Sequence, residues 1–248
     1  MLELLTDTTL SLAQSAARHG EGLFETLRVR AGVALRLEAH LERMAAGAQF
    51  LGLDEPPSAG RVRAFLEAHT ACRSLAGGAL RLLAVDGNLF VTVEAWEPRL
   101  PETIEVGISQ DFRRYTGNPL NRFKTLSYLE NRLLAREAER RGLFEALALN
   151  EAGRLADGGR TNLFWVSRDR LFTPPVAEGA LPGVARRVLL EAGLAGEAVL
   201  TLPDLIETEA LLLTNSLQGG VPVHGLAGRN GALRADHPLL LEAVALLG

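Results

Sequence analysis

The chain has 248 residues, of which 47% are hydrophobic and 23% are charged, a balance that is typical of folded globular proteins and excludes disorder as the main state. A formal net charge of −4 excludes a broadly basic nucleic-acid surface, and a single cysteine, Cys72, excludes an internal disulfide. No stretch approaches the ~18 apolar residues of a membrane span, and Glu3 and Asp7 interrupt the apolar start in a way that is unlike a signal peptide, so we expect a cytoplasmic protein.

The first third of the chain predicts β-hairpins and two helices. The dipeptides Ala31-Gly32 and Asp86-Gly87 each separate two strand-like runs, as hairpin turns do. Between these hairpins, apolar residues recur with the period of a helix. In chain order we predict strands over 23–30 and 33–37, helices over 37–53 and 61–73, and strands over 79–85, 89–96 and 103–109.

A polar stretch with a Gly-Asn-Pro run predicts a connector over 111–123, between a lobe formed by 1–110 and a lobe formed by 124–248. Ser127 and Glu130 match a capping box at the start of a helix. Hairpins and helices that do not alternate regularly predict the α+β fold class. In the second lobe we predict strands over 144–150, 162–167, 171–175 and 210–216, and helices that end at Gly142, run from Gly183 to Gly193, and follow Pro238.

The basic residues are distributed unusually, because 25 of the 26 are arginine and the single lysine is Lys124. Arginine cannot form a Schiff base and does not deprotonate in proteins, so Lys124 is the candidate for amine chemistry. A nearby helix start and the apolar neighbours Phe123 and Leu126 would lower the pKa of this lysine, as imine formation requires. The alternative is a surface lysine that remained by chance in an arginine-rich chain.

Five motifs, in the same order, resemble those of the class IV aminotransferases, which are pyridoxal-phosphate enzymes of fold type IV. The resemblance implies a two-lobed α+β fold like that of D-amino-acid aminotransferase, pyridoxal 5′-phosphate as cofactor, and a small-molecule substrate. It also implies a homodimer whose active site lies between the lobes and near the dimer interface. The motifs extend from His19 to Val223 and read HGEGLFETLRV, HLERM, KTLSYLENRLLAREAERRGLFEALALNEAGRLADGGRTNLFWV, LFTPPVAEGALPGVARR and ALLLTNSLQGGVPV.

The resemblance assigns covalent attachment of the cofactor and general-base catalysis to Lys124. Asp157 occupies the position where the family usually has glutamate, and it would pair with the pyridine nitrogen so that the ring acts as an electron sink. The alternative is that Asp157 is a turn residue before two glycines. Arg43 would bind the cofactor phosphate with two donors, and the backbone N–H groups of Val184 and Ala185 would bind it at a helix start.

Four further positions are implied around the cofactor and the substrate. Ser216 would contribute a hydroxyl to the phosphate, and Tyr128 would approach the cofactor or pack in the core. Asn215 and Leu217 would lie beside the substrate. The alternative for residues 215–217 is an ordinary turn at the end of a strand.

Thr26 distinguishes the activities within the family. The aminodeoxychorismate lyases of the family have threonine at this position, where branched-chain aminotransferases tend to have glycine and D-amino-acid aminotransferases valine. The alternative is a β-branched residue that simply favours a strand. Arg81 and Arg114 are candidates for binding substrate carboxylates, although Arg81 could equally face solvent.

The resemblance therefore predicts a lyase that converts 4-amino-4-deoxychorismate to p-aminobenzoate and pyruvate for folate synthesis. An aminotransferase acting on D-amino acids or branched-chain amino acids is the alternative enzyme. A binding protein that kept the fold without the chemistry is a third reading, supported only by the aspartate at position 157. His69 and Cys72 have a ligand-like spacing, but without a second pair nearby we expect no metal site.

Overall fold

The computed structural model describes residues 2–6, 9, 11, 14–68 and 77–248. The chain divides into two compact units. The first unit contains residues 1–98 and 123–128, and the second contains residues 99–122 and 129–248. This division differs from the predicted lobes, because it lies before residue 111 and places Lys124 in the first unit. His69 and Cys72 lie outside the described residues.

The first unit is built on one five-stranded sheet with the order β1-β5-β4-β2-β3. Strand β1 is parallel to β5, and the other neighbours are antiparallel. Its elements are β1 (Glu3–Leu5), α1 (Ser15–His19), β2 (Leu23–Arg30), β3 (Val33–Ala34), α2 (Leu37–Leu51), α3 (Ala59–Ala68), β4 (Gly77–Val85) and β5 (Asn88–Ala95).

Strand β2 shows how the sequence determines the two faces of this sheet. Its odd-numbered residues from Leu23 to Val29 are buried, and the even-numbered ones are half-buried or exposed, as the two-residue period of a strand requires. Leu23, Leu27 and Val29 form a core cluster with apolar residues of α2, including Leu41 and Met44. The opposite face of β2 therefore presents its even-numbered side chains away from this core.

The turns and helices of the first unit agree with the predictions in most places. Asp86 and Gly87 both have positive φ, 46° and 78°, as a tight hairpin turn requires. The predicted strand over 33–37 is shorter, because Arg36 adopts a left-handed conformation and α2 begins at Leu37. The predicted helix over 61–73 is observed as Ala59–Ala68, and its last part lies outside the described residues.

The segment 123–128 joins the first unit through backbone hydrogen bonds to the start of β2. Phe24 N donates to Lys124 O at 2.9 Å, and Leu126 N donates to Gly22 O at 2.9 Å. Gly22 has no room for a side chain, because a Cβ atom there would lie 2.8 Å from both Ala84 O and Leu126 Cδ1. The lysine-bearing segment is thereby held as a short extension of the sheet.

The second unit contains two sheets and four α-helices within the part of the chain that is described. The sheets have the orders β11-β10-β9-β12-β13 and β14-β6-β7-β8. Its elements are β6 (Glu105–Arg114), α4 (Leu129–Arg140), β7 (Glu145–Asn150), β8 (Leu155–Gly158), β9 (Asn162–Ser167), β10 (Arg170–Thr173), α5 (Val184–Glu191), β11 (Ala195–Glu197), α6 (Leu202–Glu207), β12 (Ala210–Asn215), β13 (Gly219–Pro222), β14 (Gly225–Leu226) and α7 (Pro238–Leu247), with 3-10 turns at Pro119–Arg122 and Val176–Glu178.

The two sheets of the second unit pack face to face around one core and carry helices on their outer faces. The inner core contains Leu147 and Leu149 from one sheet and Leu163 and Leu211 from the other. Helices α5 and α7 pack on the outer face of the sheet that contains β9 and β12. Helix α4 packs on β7. Helices and both kinds of strand pairing are combined without regular alternation, so the α+β prediction is confirmed.

Two details near the predicted connector differ from the expectation. Strand β6 continues to Arg114, because its last residues pair with β7 after an irregularity in register, so the connector region begins with a strand. Helix α4 begins at Leu129, and the Ser127 hydroxyl contacts the carbonyl oxygens of His19 and Gly20 at 3.4 Å. Among the residues described, no helix is long and apolar enough to cross a membrane.

Candidate active site

The Lys124 amine lies against two aromatic rings of the first unit. Its Nζ atom is 4.1 Å from the centre of the Phe24 ring and 4.5 Å from the centre of the Tyr128 ring. The two rings pack edge to face, with their centres 5.0 Å apart. The Tyr128 Oη atom lies 3.4 Å from Lys124 Nζ. Aromatic faces attract a cation and also shield it partly from water. Helix α4 begins only at Leu129, after the segment that carries Lys124 in the first unit.

Arg43 is held by a buried carboxylate. Its Nε donates to Glu25 Oε1 at 2.8 Å and its Nη2 donates to Glu25 Oε2 at 2.7 Å. His40, one turn earlier on α2, lies with Nδ1 2.6 Å from Glu25 Oε2. Positions 40 and 43 share one face of the helix, and Glu25 points to that face from β2. The guanidinium predicted to bind phosphate is thus fixed in one orientation, with two of its N–H groups used on Glu25.

The three groups alter one another's ionisation. Burial alone would raise the pKa of Glu25, but the charge of Arg43 and the hydrogen bonds from His40 and Arg43 lower it to about 2. Burial lowers the pKa of His40, and the positive charges of Arg43 and Lys124 act in the same direction. Burial would also lower the pKa of Arg43, but the Glu25 carboxylate outweighs it and raises the pKa. The arrangement is therefore a carboxylate–guanidinium pair with a buried histidine as a hydrogen-bond donor.

Thr26 and Arg81 are cross-strand neighbours in the first unit. They face each other in the register of β2 and β4, on the face of the sheet that points away from α2. Thr26 is half-buried, and Arg81 forms an exposed ion pair with Glu94. The predicted lyase hydroxyl and one predicted carboxylate-binding arginine therefore share one surface, although Arg81 already has an acidic partner.

Asp157 is buried in the second unit, 4% exposed, and both of its oxygens accept hydrogen bonds. Oδ1 accepts from Arg114 Nε at 2.9 Å, and Oδ2 accepts from the backbone N–H of Leu181 at 3.0 Å. Arg114 is itself 5% exposed and also donates to Glu130 and to the carbonyl oxygen of Gly158. We expected Arg114 to bind a substrate carboxylate, but the structure pairs it with protein carboxylates and makes it the partner of Asp157.

Helix α5 begins beside a cluster of polar side chains in the second unit. Asn162 on β9 donates to Leu181 O at 2.8 Å, and a Cβ atom on Gly183, the residue before α5, would lie 1.9 Å from Asn162 Oδ1. Thr214 faces Asn162 across β9 and β12, and its buried hydroxyl has no hydrogen-bond partner within the described ranges. A helix start with free N–H groups and a nearby unpaired hydroxyl fits an anion such as phosphate.

The predicted residues at the end of β12 form a turn. Asn215 Oδ1 accepts from the backbone N–H groups of Leu217 and Gln218, at 3.0 and 2.8 Å. Ser216 is half-buried between them. The turn interpretation of these residues therefore holds for their local conformation. Because Thr214 precedes this turn and faces Asn162, the turn lies at the same end of the sheet as the start of α5.

Sequence reasoning did not single out Glu25 or His40, although a signal was present. In the strand LFETLRVR, Glu25 has the same phase as Leu23 and Leu27, so the period of two predicts that a carboxylate is buried. A buried carboxylate requires a partner. An arginine and a histidine three residues apart on the next helix are the nearest candidates in the sequence.

A separate cluster in the second unit could hold a metal ion, since one ligand atom from each of Asp169, Glu209 and His237 lies within 4.8 Å of the others. Two of these groups have other partners. His237 Nδ1 accepts the N–H of Leu239, and Glu209 pairs with Arg234 at 3.1 Å. The cluster is at the far ends of β9 and β12 from Asn162 and Asn215, so it is distinct from the candidate active site.

Comparison with known proteins shows the family of the chain. The sequence profile of the family described as Amino-transferase class IV matches residues 22–226. A Methanocaldococcus jannaschii protein provisionally named branched-chain-amino-acid aminotransferase is 28% identical over 90% of this chain and 84% of its own length. The bifunctional aminodeoxychorismate lyase / D-amino acid transaminase of Mycobacterium tuberculosis is 28% identical over 86% of this chain and 84% of its own.

The fold comparison agrees with the sequence comparison. A Legionella pneumophila crystal structure provisionally named 4-amino-4-deoxychorismate lyase superposes with a TM-score of 0.88 and 25% identity, over 99% of this chain and 98% of that chain. The fold type IV architecture predicted from the motifs is therefore confirmed.

Proposed function

The chain belongs to the class IV aminotransferase family, and from this premise we propose that it is a 4-amino-4-deoxychorismate lyase that releases p-aminobenzoate and pyruvate. Thr26 is the observation that carries the proposal. It has the residue type of the family's lyases, and its hydroxyl lies on the face of β2 that is not covered by α2. The bifunctional relative and the Legionella structure both carry the lyase name.

Pyridoxal 5′-phosphate is the cofactor of the family, and the residues present fit it. The first unit offers an amine against two aromatic rings, and the second offers a buried carboxylate and a helix start with an unpaired hydroxyl. When bound, the cofactor supplies an aldehyde for the substrate amine and a ring that accepts an electron pair. We propose Lys124 for covalent attachment, Asp157 for the ring nitrogen, and Arg43, Ser216 and the start of α5 for the phosphate.

The chain's own residues would then carry two proton transfers. The Lys124 amine removes the proton from the ring carbon that bears the substrate amine. The bond from the adjacent carbon to the oxygen of the enolpyruvyl group breaks, and that group leaves as pyruvate after it takes up a proton. We propose that Thr26 or Lys124 delivers this proton. The ring of the product becomes aromatic, so the protein mainly has to orient the substrate and the proton carriers.

The direct test is to incubate the purified enzyme with 4-amino-4-deoxychorismate and to measure p-aminobenzoate and pyruvate in equal amounts. The Lys124→Ala variant is the control and should form neither product. If no p-aminobenzoate forms while amino groups move from D-amino acids or branched-chain amino acids to a keto acid, the lyase proposal is wrong. The second activity is a specific candidate because the bifunctional relative has both names.

A colour test separates an enzyme from a binding protein without any substrate. Covalent attachment of the cofactor gives a yellow protein whose visible absorbance disappears on borohydride reduction. Because Lys124 is the only lysine, the only side-chain amine that reduction can label is at position 124, which peptide mass spectrometry identifies. Labelling of the N-terminal amine alone, or a colourless protein in excess cofactor, would contradict the enzyme proposal.

We also propose a cytoplasmic homodimer, as the family resemblance implies. Light scattering on the purified protein tests the dimer, with an expected mass of about twice the chain's 26.7 kDa.

A further inference from the structure

Glu145 is a fully buried carboxylate that has no place in the proposed chemistry. It opens β7 and is 0% exposed. Its Oε2 accepts from the backbone N–H of Arg160 at 3.0 Å and from the Thr161 hydroxyl at 3.1 Å, and its Oε1 accepts from Ala146 N at 3.2 Å. Two of these three donors belong to the turn that connects β8 to β9, which we call the 157–161 turn.

The register of the sheet explains why a side chain is needed there. Strands β7 and β8 are antiparallel, with Leu147 opposite Gly158, so a continued strand would place residue 160 opposite Glu145. Strand β8 ends at Gly158. The Glu145 carboxylate therefore accepts the Arg160 N–H, a donor that has lost its place in the ladder of β7 and β8.

The two glycines after Asp157 are packed so closely that neither has room for a side chain. A Cβ atom on Gly158 would lie 2.6 Å from Glu145 Cγ and 2.7 Å from Thr161 Oγ1. A Cβ atom on Gly159 would lie 2.8 Å from Asn131 O, on the α4 side. Gly158 thus packs directly against the Glu145 side chain. Asp157 is the residue that precedes Gly158 in the chain.

We infer that Glu145 is a positioning residue for Asp157: it fixes the 157–161 turn, and through Gly158 it sets the place where the Asp157 carboxylate meets the cofactor's ring nitrogen. This inference rests on the proposed role of Asp157. Within the described structure the charged partner of the Glu145 carboxylate is Arg160, whose Nε lies 4.0 Å from Oε2. Burial raises the pKa of Glu145, and the charge of Arg160 only partly offsets this effect. A buried acid held mainly by neutral donors is costly to retain, and a role in orienting a second acid accounts for its presence.

The test uses holoenzyme loaded with pyridoxal phosphate that carries ¹⁵N in the ring, with no substrate present. The ¹⁵N chemical shift reports whether the ring nitrogen is protonated, and a pH series gives the midpoint of its titration. We expect Glu145→Gln to lower this midpoint by about one pH unit, a tenfold loss of proton affinity. Thr161→Val, which removes one donor to Glu145 and leaves the acid in place, should act in the same direction and keeps the test open if Glu145→Gln does not fold.

Glu137→Gln is the matched control for a merely structural effect. Glu137 is also buried in the second unit, and its carboxylate accepts from Ser109, Gln110 and Arg141. Within the described structure no hydrogen bond or ion pair joins Glu137 to the 157–161 turn. We expect Glu137→Gln to lower the thermal midpoint of unfolding and to leave the ¹⁵N titration unchanged.

Asp157→Asn separates failure of the inference from failure of the proposed site. If Asp157→Asn does not change the titration, the assignment of Asp157 to the ring nitrogen is wrong. If Asp157→Asn lowers the midpoint and both Glu145→Gln and Thr161→Val leave it unchanged, the positioning role of Glu145 is overturned. If Glu145 acts through Asp157, the double variant Glu145→Gln with Asp157→Asn should titrate like Asp157→Asn alone. The effects of two substitutions that act through the same carboxylate do not add.

Discussion

Replacing Glu25 with glutamine tests whether the carboxylate under Arg43 stabilises the first unit. Glu25 is 1% exposed and holds both the guanidinium of Arg43 and the ring of His40. Its pKa is lowered from 4.5 to about 2. Because each pH unit of this difference corresponds to about 1.4 kcal/mol, the charged form contributes about 3 kcal/mol to the free energy of unfolding. Removal of one partner from a buried ion pair costs about 3–5 kcal/mol, which agrees with this value.

The same pKa fixes how the effect depends on pH. A carboxyl group whose pKa is lower in the folded state stabilises the protein above the unfolded pKa of about 4.5, and this stability is lost as pH falls through that value toward 2. The difference between the original protein and Glu25→Gln should therefore be constant above about pH 5.5 and should shrink below pH 4.5.

Urea unfolding at a series of pH values, in the same cofactor state for each protein, measures the difference. Glu38→Gln is the control, because Glu38 lies on the same helix, α2, and pairs with Arg63 at the exposed surface, where ion pairs contribute little. A loss below about 1 kcal/mol at neutral pH, or a difference that does not change with pH, would refute the reasoning for Glu25.

Three further predictions concern the candidate site. Gly22→Ala should displace the segment that carries Lys124, because the new Cβ atom would lie 2.8 Å from Ala84 O and from Leu126 Cδ1. The yield of cofactor trapped by borohydride should then fall roughly 10–100-fold. Gly60→Ala is the control and should not change this yield, because no atom would lie closer than 4.0 Å to the new Cβ atom. Asp157→Asn removes the carboxylate opposite Arg114 and should lower the free energy of unfolding by roughly 3 kcal/mol in urea titrations, and an unchanged stability would mean that this buried pair is not formed. Thr26→Val keeps the shape of the side chain and should reduce p-aminobenzoate formation about 100-fold with the visible absorbance unchanged; Thr92→Val, opposite Arg81 on β5, is its control.

The regular elements follow from local patterns in the sequence, and the contacts within the site do not. The period of two in β2, the Asp86-Gly87 turn and the helices that start after Gly183 and at Pro238 are all encoded by neighbouring residues. The pairing of Arg114 with Asp157 joins residues 43 positions apart, and no spacing rule identifies it. Arg114 could be predicted as a basic residue near the site, but its partner depends on how β6 and β8 are placed by the sheet.

Lys124 shows the same limit more clearly. The chemistry proposed for it rests on its uniqueness and on the motifs around it. Its membership of the first unit depends on Thr125 bridging to Leu23, about a hundred residues earlier. That pairing is set by the close approach of Gly22 to Leu126, which local propensity does not describe.

The path of the chain between the two units has a consequence for biosynthesis. The backbone leaves the first unit at residue 98, returns for residues 123–128, and then leaves again. Residues up to 128 must therefore emerge from the ribosome before the first sheet can gain its lysine-bearing segment. The first unit cannot be completed while only residues 1–98 have emerged. A fragment that ends at residue 98 would lack both Lys124 and the backbone partners of Gly22 and Phe24. The attachment of the cofactor that we propose at Lys124 would therefore follow the synthesis of half of the chain.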